Sequence, residues 1–117
     1  VLGDPQRYVI DPGGHILFAR YGANIVGTVA LKYEGNGRYE LTKMAVTASA
    51  RGLGAGRRLG EAVIDRFNEL GGASLYLESH SSLAPALSLY ESLGFRHSPR
   101  PAPSEYARSD VYMEYRG

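Results

Sequence analysis

The sequence predicts a single mixed α/β domain over residues 1–117, for three reasons. The first half alternates short β-rich runs with glycine and asparagine turns, whereas apolar residues recur at helical spacing from Leu59 onward. Glycine makes up 15 of the 117 residues, and six of these glycines fall between Gly52 and Gly72, near the change of pattern. A chain of this length can build one hydrophobic core but not two.

Three strands are expected in the first half, over residues 16–21, 25–31 and 39–46. The first two flank a turn at Gly22, and the third follows the turn Gly35-Asn36-Gly37. Its Asn-Gly pair tolerates positive φ at both central turn positions. These runs predict an antiparallel meander, and the first ten residues, which lack a clear period, are predicted to be loop.

The second half predicts helix, strand, helix and two further strands. Five apolar residues between Leu59 and Leu70 share one helical face, and this helix of about four turns stops at Gly71. A short strand covers residues 75–77. The next helix is expected to begin with a serine of residues 81–82 as N-cap and to end at Gly94. Strands over 95–97 and 110–116 flank a proline-containing connection.

Composition excludes several classes of function. Lysine and arginine total 13 against 12 acidic residues, so no net field attracts nucleic acid or an anionic membrane. The absence of cysteine excludes disulfides and a cysteine nucleophile. The three histidines are too scattered for a metal site, and His15 and His97 are expected at the surface. No apolar run approaches the roughly 20 residues of a spanning helix. We expect a soluble, cytoplasmic protein without a bound metal.

The glycine-rich segment Arg51-Gly52-Leu53-Gly54-Ala55-Gly56-Arg57-Arg58 joins the third strand to the first helix. It fits neither the nucleotide P-loop spacing nor the dinucleotide-binding spacing. Glycines let backbone N–H groups approach an anion closely, and a helix N-terminus adds unpaired donors and a favourable dipole. With its three arginines the segment suits a pyrophosphate. A flexible glycine turn with solvated arginines would have the same composition.

A second motif, Tyr90-x-x-x-Gly94-Phe95, closes the second predicted helix. Together with Arg51-x-x-Gly54-x-Gly56, it makes the chain resemble the GNAT superfamily of N-acetyltransferases. The similarity is to small bacterial members, including those fused to a MarR-type regulatory domain, and runs from about residue 16 to 115. It implies a mostly antiparallel sheet with flanking helices. Because the family fold has a strand and two helices before the first hairpin, it also implies a chain truncated at its start, without those helices.

The resemblance implies a binding site for acetyl-CoA. In the family, the glycine-rich segment grips the pyrophosphate, here with Arg51, Gly52, Leu53, Gly54, Ala55, Gly56 and Arg57. The backbone of Met44, Ala45 and Val46 would pair with the pantetheine arm, in a gap between this strand and the strand of residues 74–79. His80 stands where many relatives carry an asparagine that bonds the pantetheine. It could act as a base instead, or have no role.

The resemblance also implies catalytic and acceptor residues. Tyr90 aligns with the general acid that protonates the departing thiolate, although a tyrosine here could simply pack in the core. Glu40 occupies the place of the general base, and the two-residue period of a strand puts it on the face of Met44. A strand glutamate could instead be a solvated partner of a lysine or arginine. Glu105, Tyr106 and Arg108, in the proline-containing connection, are candidates for contact with the acceptor, although such a connector needs no function.

The expected function is therefore N-acetyl transfer from acetyl-CoA to a primary amine, by direct attack in a ternary complex. The acceptor would be a small molecule or a peptide. The sequence does not fix the oligomeric state, although a homodimer would match the dimers that are common among similar proteins. Two alternatives stay open. One is a non-catalytic acyl-CoA-binding or sensing module linked to a regulatory domain, which needs neither Glu40 nor Tyr90. The other is a fragment that serves only assembly and binds no CoA.

Overall fold

The computed structural model describes residues 6–11, 14–104, 106 and 109–117. Its strands are β1 (Gln6–Asp11), β2 (Gly14–Tyr21), β3 (Asn24–Tyr33), β4 (Arg38–Val46), β5 (Ser74–Ser79), β6 (Phe95–His97) and β7 (Val111–Tyr115). Its helices are a 3₁₀ helix (Ala48–Leu53), α1 (Ala55–Glu69) and α2 (Ala84–Leu93). The predicted meander, both helices and both late strands are confirmed.

Within these ranges the strands form one sheet in the order β1-β2-β3-β4-β5-β7-β6. Neighbouring strands are antiparallel except β4 and β5, which α1 connects as a crossover. This arrangement confirms a mixed α/β fold with a mostly antiparallel sheet. The turn before β4 has φ of 54° at Asn36 and 75° at Gly37, as the Asn-Gly pair predicts.

Both helices cover the same face of the sheet. Leu59, Val63 and Phe67 of α1 and Tyr90 of α2 share one buried cluster with alternate residues of the central strands. The helices also pack closely on each other, since a Cβ built at Gly60 would lie 2.5 Å from Leu93 Cδ1. No helix of the described residues covers the opposite face of the central strands, which is the helix-free face.

Three local predictions were wrong. Residues 6–10, predicted as loop, belong to β1, because an edge strand can be held by backbone pairing with β2 without a clear apolar period. His15 is 3% exposed, since it lies on the inward face of β2 with Leu17 and Ala19. The N-cap of α2 is Leu83, with no side-chain cap, because the hydroxyls of Ser81 and Ser82 bond to Asp110 and His80 instead.

A β-bulge interrupts β4 and reverses its alternation. The pairing with β3 shifts between Thr28↔Ala45 and Ala30↔Thr42, and Lys43 adopts a φ of 57°. Before the bulge, Glu40 lies on the helix-free face. After it, Met44 and Val46 pack against the buried cluster beneath the helices. The prediction that Glu40 and Met44 share a face was wrong, because the extra residue of a bulge shifts the two-residue period.

Candidate active site

Strands β4 and β5 pair over three residues and then separate. Their register runs from Arg38↔Ser74 to Glu40↔Tyr76, although β4 continues to Val46 and β5 to Ser79. Beyond this point β4 pairs with β3, and β5 pairs with β7. The predicted gap beside Met44, Ala45 and Val46 is therefore present, and Glu40 is the last paired residue before it opens.

The glycine-rich segment presents the N-terminus of α1 to open space. Gly54 has a φ of 79° and precedes the first helical residue, Ala55, with no side-chain cap. The first amide bonded along the helix is that of Arg58, which donates to the Gly54 carbonyl at 3.1 Å. The amides of residues 55–57 therefore lack intrahelical acceptors. A Cβ built at Gly52 or Gly54 would meet no atom within 4 Å.

Gly56 lies where the glycine-rich segment, the end of β4 and α2 meet. A Cβ built there would be 3.1 Å from Leu89 Cδ2 and 3.9 Å from Val46 Cγ2. Next to it, the Arg57 guanidinium donates to Ser92 Oγ at 2.5 Å, a contact that the sequence did not predict. The structure thus brings the predicted pantetheine strand and the predicted pyrophosphate segment against the helix that carries Tyr90.

Tyr90 is buried in the cluster between α2 and the sheet, 7% exposed. Its ring packs edge-on against Phe95, with centroids 6.2 Å apart. Burial raises the pKa of the Tyr90 phenol. The hydroxyl therefore keeps its proton at neutral pH, which is the form that a general acid requires.

A cavity of about 150 Å³ lies on the helix-free face. Strands β4, β5 and β7 form its floor through residues that alternate with buried core residues, and residues 100–104 and 106, from the connection between β6 and β7, form its roof. The lining residues are Glu34, Arg38, Glu40, Tyr76, Glu78, Arg100, Pro101, Ala102, Pro103, Ser104, Tyr106 and Tyr112. Three carboxylates thus face two guanidinium groups around a small space.

Glu40 is the most buried charged group of this cavity, with 2% exposure. The Tyr106 hydroxyl lies 3.1 Å from its Oε1 and 3.0 Å from its Oε2 and donates to the carboxylate. Among the described residues no cation forms an ion pair with it. Burial raises the pKa of Glu40, and the Tyr106 hydrogen bond partly opposes this rise. A buried carboxylate with a raised pKa is suited to accept a proton.

The other carboxylates of the cavity have closer partners. Glu78 forms an ion pair with Arg100 and accepts a hydrogen bond from Ser109 Oγ at 3.0 Å. Burial alone would raise the pKa of Glu78, but hydrogen bonds from Ser104, Arg100 and Ser109 bring it below its usual value. Glu34 accepts from the Tyr76 hydroxyl at 2.8 Å and lies 3.7 Å from Lys32 Nζ. Unlike Glu78 and Glu34, Glu40 therefore has no ion-pair partner in the described part of the chain.

Only one of the three residues predicted to contact the acceptor lies in the described part of the chain. Tyr106 lines the cavity, whereas Glu105 and Arg108 lie outside the described residues.

His80 follows β5, and its Nδ1 accepts from the Ser82 N–H at 3.1 Å, so the turn before α2 already uses this nitrogen. Arg38, Tyr76 and Tyr112 were missed. Their signal was the alternation of polar or tyrosine side chains with core residues along three strands.

In the described part of the chain, neither α-helix has the length and apolar character needed to span a bilayer. Among the same residues, no group of three or more histidine or acidic side chains is placed to hold a metal ion.

Comparison with known sequences identifies the family of this arrangement. The model of the acetyltransferase (GNAT) family matches residues 3–95. An uncharacterised N-acetyltransferase of Schizosaccharomyces pombe is 33% identical over 108 residues, covering 86% of this chain and 66% of the relative. Human N-acetylaspartate synthetase is 34% identical over 93 residues, covering 79% of this chain and 31% of that enzyme. The chain thus spans less than two thirds of either relative.

Solved structures share the fold. A GNAT-family acetyltransferase of Staphylococcus aureus superposes with a TM-score of 0.80 at 28% identity, over 92% of this chain and 70% of the other. A Bacillus anthracis protein solved in complex with acetyl coenzyme A has a TM-score of 0.77 at 24% identity. That superposition covers 92% of this chain and 65% of the other.

Proposed function

The chain belongs to the GNAT family of acetyltransferases, and from this premise we propose that it transfers the acetyl group of acetyl-CoA to a primary amine in a ternary complex. The observation that carries the proposal is the position of Glu40. Its buried carboxylate, without an ion-pair partner in the described part of the chain, faces a small cavity at the residue where β4 and β5 part. A base is thereby placed between an acceptor cavity and the gap for a cofactor.

Several features of the helix face support binding of acetyl-CoA. The amides of residues 55–57, which have no acceptor within α1, and the positive end of the α1 dipole suit the pyrophosphate. Gly52 and Gly54 leave room for close approach, and Arg51 adds positive charge. Met44, Ala45 and Val46 border the gap and would pair with the pantetheine arm. His80, at the end of β5, would contact the same arm through the nitrogen that the turn leaves free.

Two side chains would move the protons. Acetyl-CoA supplies the acetyl group as a thioester, whose C–S bond breaks as the amine nitrogen bonds to the carbonyl carbon. An alkylamine has a pKa near 10, so most of it is protonated at neutral pH. Glu40 takes one proton from this ammonium group, and the second proton that the nitrogen loses on becoming an amide passes to solvent. Tyr90 gives its phenolic proton to the departing sulfur, which as a thiolate has an ordinary pKa of about 8.5.

The acceptor enters from the cavity side, where Tyr106 and the carboxylates favour a cation. A small-molecule or peptide amine is proposed, and the name of N-acetylaspartate synthetase denotes acetylation of an amino acid in a relative. Acceptor contact by Glu105 and Arg108, a homodimer and a cytoplasmic location stay predictions.

The proposal is tested by amine-dependent release of the CoA thiol. The purified chain is incubated with acetyl-CoA and a panel of primary amines, and free thiol is measured. We expect release that rises with the concentration of at least one amine and saturates. An acyl-CoA sensing module would bind CoA, with a thermal shift, but release no thiol with any amine.

Gly54→Ala is expected to weaken the binding of CoA at least tenfold. An L residue at a φ of 79° costs about 1–2 kcal/mol, so the backbone should turn away from the conformation that presents the amides. Binding is measured as the thermal stabilisation by CoA, which for the unsubstituted chain should reach about 2.7 kcal/mol at 100 times the dissociation constant.

Gly71→Ala is the matched control for this change. Gly71 lies just beyond α1, has a φ of 68°, and also has no atom within 4 Å of a built Cβ. Both variants should lose similar unfolding free energy, but only Gly54→Ala should lose affinity for CoA. Equal affinities in the two variants would rule out the N-terminus of α1 as the pyrophosphate site.

Tyr106→Phe is expected to move the acid limb of the pH profile of kcat/KM to higher pH. The Tyr106 hydrogen bond lowers the pKa of Glu40, so its loss leaves the carboxyl protonated over a wider range. The pH profile is compared with that of Tyr21→Phe, a change of an exposed tyrosine. An acid limb that stays in place would show that Glu40 does not set it, or that Tyr106 does not hold Glu40.

A further inference from the structure

Two charged groups of the cavity form no ion pair in the described ranges. Arg100 and Glu78 pair with each other, and Glu34 lies near Lys32. Glu40 and Arg38 form no such pair, although both line the cavity and feel the opposite charges of Lys32 and Glu114, respectively. The cavity therefore presents one carboxylate and one guanidinium group that can each form a direct ion pair with a ligand.

Aromatic neighbours hold the Arg38 guanidinium at the cavity wall. Its Cζ lies 3.9 Å from the centroid of the Tyr76 ring and 6.0 Å from that of Tyr112. One nitrogen, Nη2, donates to the Tyr112 hydroxyl at 2.9 Å. A guanidinium carries five N–H donors in a planar fork that matches a carboxylate, so donors remain for a ligand.

The placement of the two charged groups suits one small zwitterion. Arg38 and Glu40 lie on one face of β4, two residues apart and before the bulge. The Arg38 guanidinium lies over the ring of Tyr76, which is the register partner of Glu40 on β5. An ammonium group on Glu40 and a carboxylate on Arg38 can then belong to the same short molecule. The volume, about 150 Å³, also favours a small ligand, since a cavity of this size holds a molecule like benzene.

We propose that the acceptor is a free amino acid or a similarly small aminocarboxylate, with its ammonium group on Glu40 and its carboxylate on Arg38. This inference rests on the proposed acetyl transfer and specifies its substrate class. Polyamines and aminoglycosides carry no carboxylate for Arg38. A peptide N-terminus has an amide where the free amino acid has its carboxylate.

The first test compares acceptors of nearly equal size on the unsubstituted chain. Thiol release from acetyl-CoA is measured with alanine, β-alanine, alaninamide and ethylamine, and kcat/KM is expressed per neutral amine to remove differences in amine pKa. We expect kcat/KM for the better of the two aminocarboxylates to exceed that for alaninamide and ethylamine by roughly 10- to 100-fold. This ratio corresponds to the free energy of a charge-assisted hydrogen bond.

The second test replaces Arg38, the proposed partner of the acceptor's carboxylate. Arg38→Gln should reduce the preference for the aminocarboxylate over alaninamide to within about threefold, and Arg38→Lys should keep part of it because the charge remains. Arg66→Gln, a change of an arginine on α1 that pairs with Glu69, should keep the full preference. Thermal stabilisation of the CoA-bound protein by the aminocarboxylate gives a readout independent of turnover, and Arg38→Gln should abolish it.

The outcomes separate this inference from the proposed function. If the chain turns over alaninamide or ethylamine as well as the aminocarboxylates, the substrate class is wrong and the acetyltransferase stands. If no amine of any class supports thiol release while CoA binds, the proposed function itself fails. If Arg38→Gln does not fold, the comparison of aminocarboxylate with amide on the unsubstituted chain decides.

Discussion

Glu40→Gln is expected to lower kcat/KM for the amine roughly 10²- to 10⁴-fold, the usual contribution of a general base. Glutamine keeps the size of the side chain and can still accept the Tyr106 hydrogen bond, but it takes no proton from the ammonium group. The residual rate should rise with pH, because solution then supplies the neutral amine. Steady-state thiol release over a range of pH measures both effects.

The same substitution should stabilise the fold at neutral pH. Because burial raises the pKa of Glu40 in the folded chain, the ionised carboxylate opposes folding above that pKa. Below the unfolded pKa of about 4.3 the carboxyl is protonated in both states, and this penalty vanishes. Glu40→Gln should therefore unfold at a higher temperature than the unsubstituted chain at pH 7, with the difference shrinking toward pH 4.

Glu91→Gln, on the exposed side of α2, should change neither rate nor stability. Unaltered turnover in Glu40→Gln would remove Glu40 from the mechanism.

Tyr90→Phe is expected to lower kcat by about 10²-fold while the affinity for CoA stays the same. The lower end of the usual range applies, because a thiolate with a pKa of about 8.5 is already a fair leaving group. The ring is buried against Phe95, and phenylalanine preserves that packing. Single-turnover thiol release separates the chemical step from binding, and thermal shift with CoA checks affinity.

Tyr115→Phe is the matched control for this prediction. Tyr115 contacts the same ring, with its centroid 5.6 Å from that of Phe95, but it lies on β7 rather than on α2. We expect it to keep near-normal kcat. A loss of similar size in both variants would mean that Tyr90 acts through packing and not as an acid.

Most of the fold could be predicted from local patterns. The Asn-Gly turn before β4, the helical period of α1 and the glycine stop of α2 each reflect short-range backbone physics, and each is confirmed. The wrong predictions depend on tertiary partners. An edge strand is held by pairing with β2, and two serines bond to Asp110 and His80 rather than to the helix.

The candidate site was less accessible from sequence. Motif spacing indicated the glycine-rich segment and Tyr90, because these positions depend on neighbours along the chain, whereas Glu40 was implied by the resemblance to the family. The bulge at Lys43 has no sequence signature here, yet it decides that Glu40 and Met44 lie on opposite faces. Arg38 becomes a candidate only when the cavity is seen, since its role depends on Tyr76 and Tyr112 from two other strands.

The most direct test of the account is mass spectrometry of the amine after incubation with acetyl-CoA carrying a ¹³C-labelled acetyl group. Acetyl transfer to nitrogen predicts an acceptor heavier by one labelled acetyl group, in amounts that equal the thiol released and that fall with Glu40→Gln. Labelled acetate without labelled amine would show hydrolysis of the thioester. That result would contradict the assignment of the Glu40 cavity as the acceptor site.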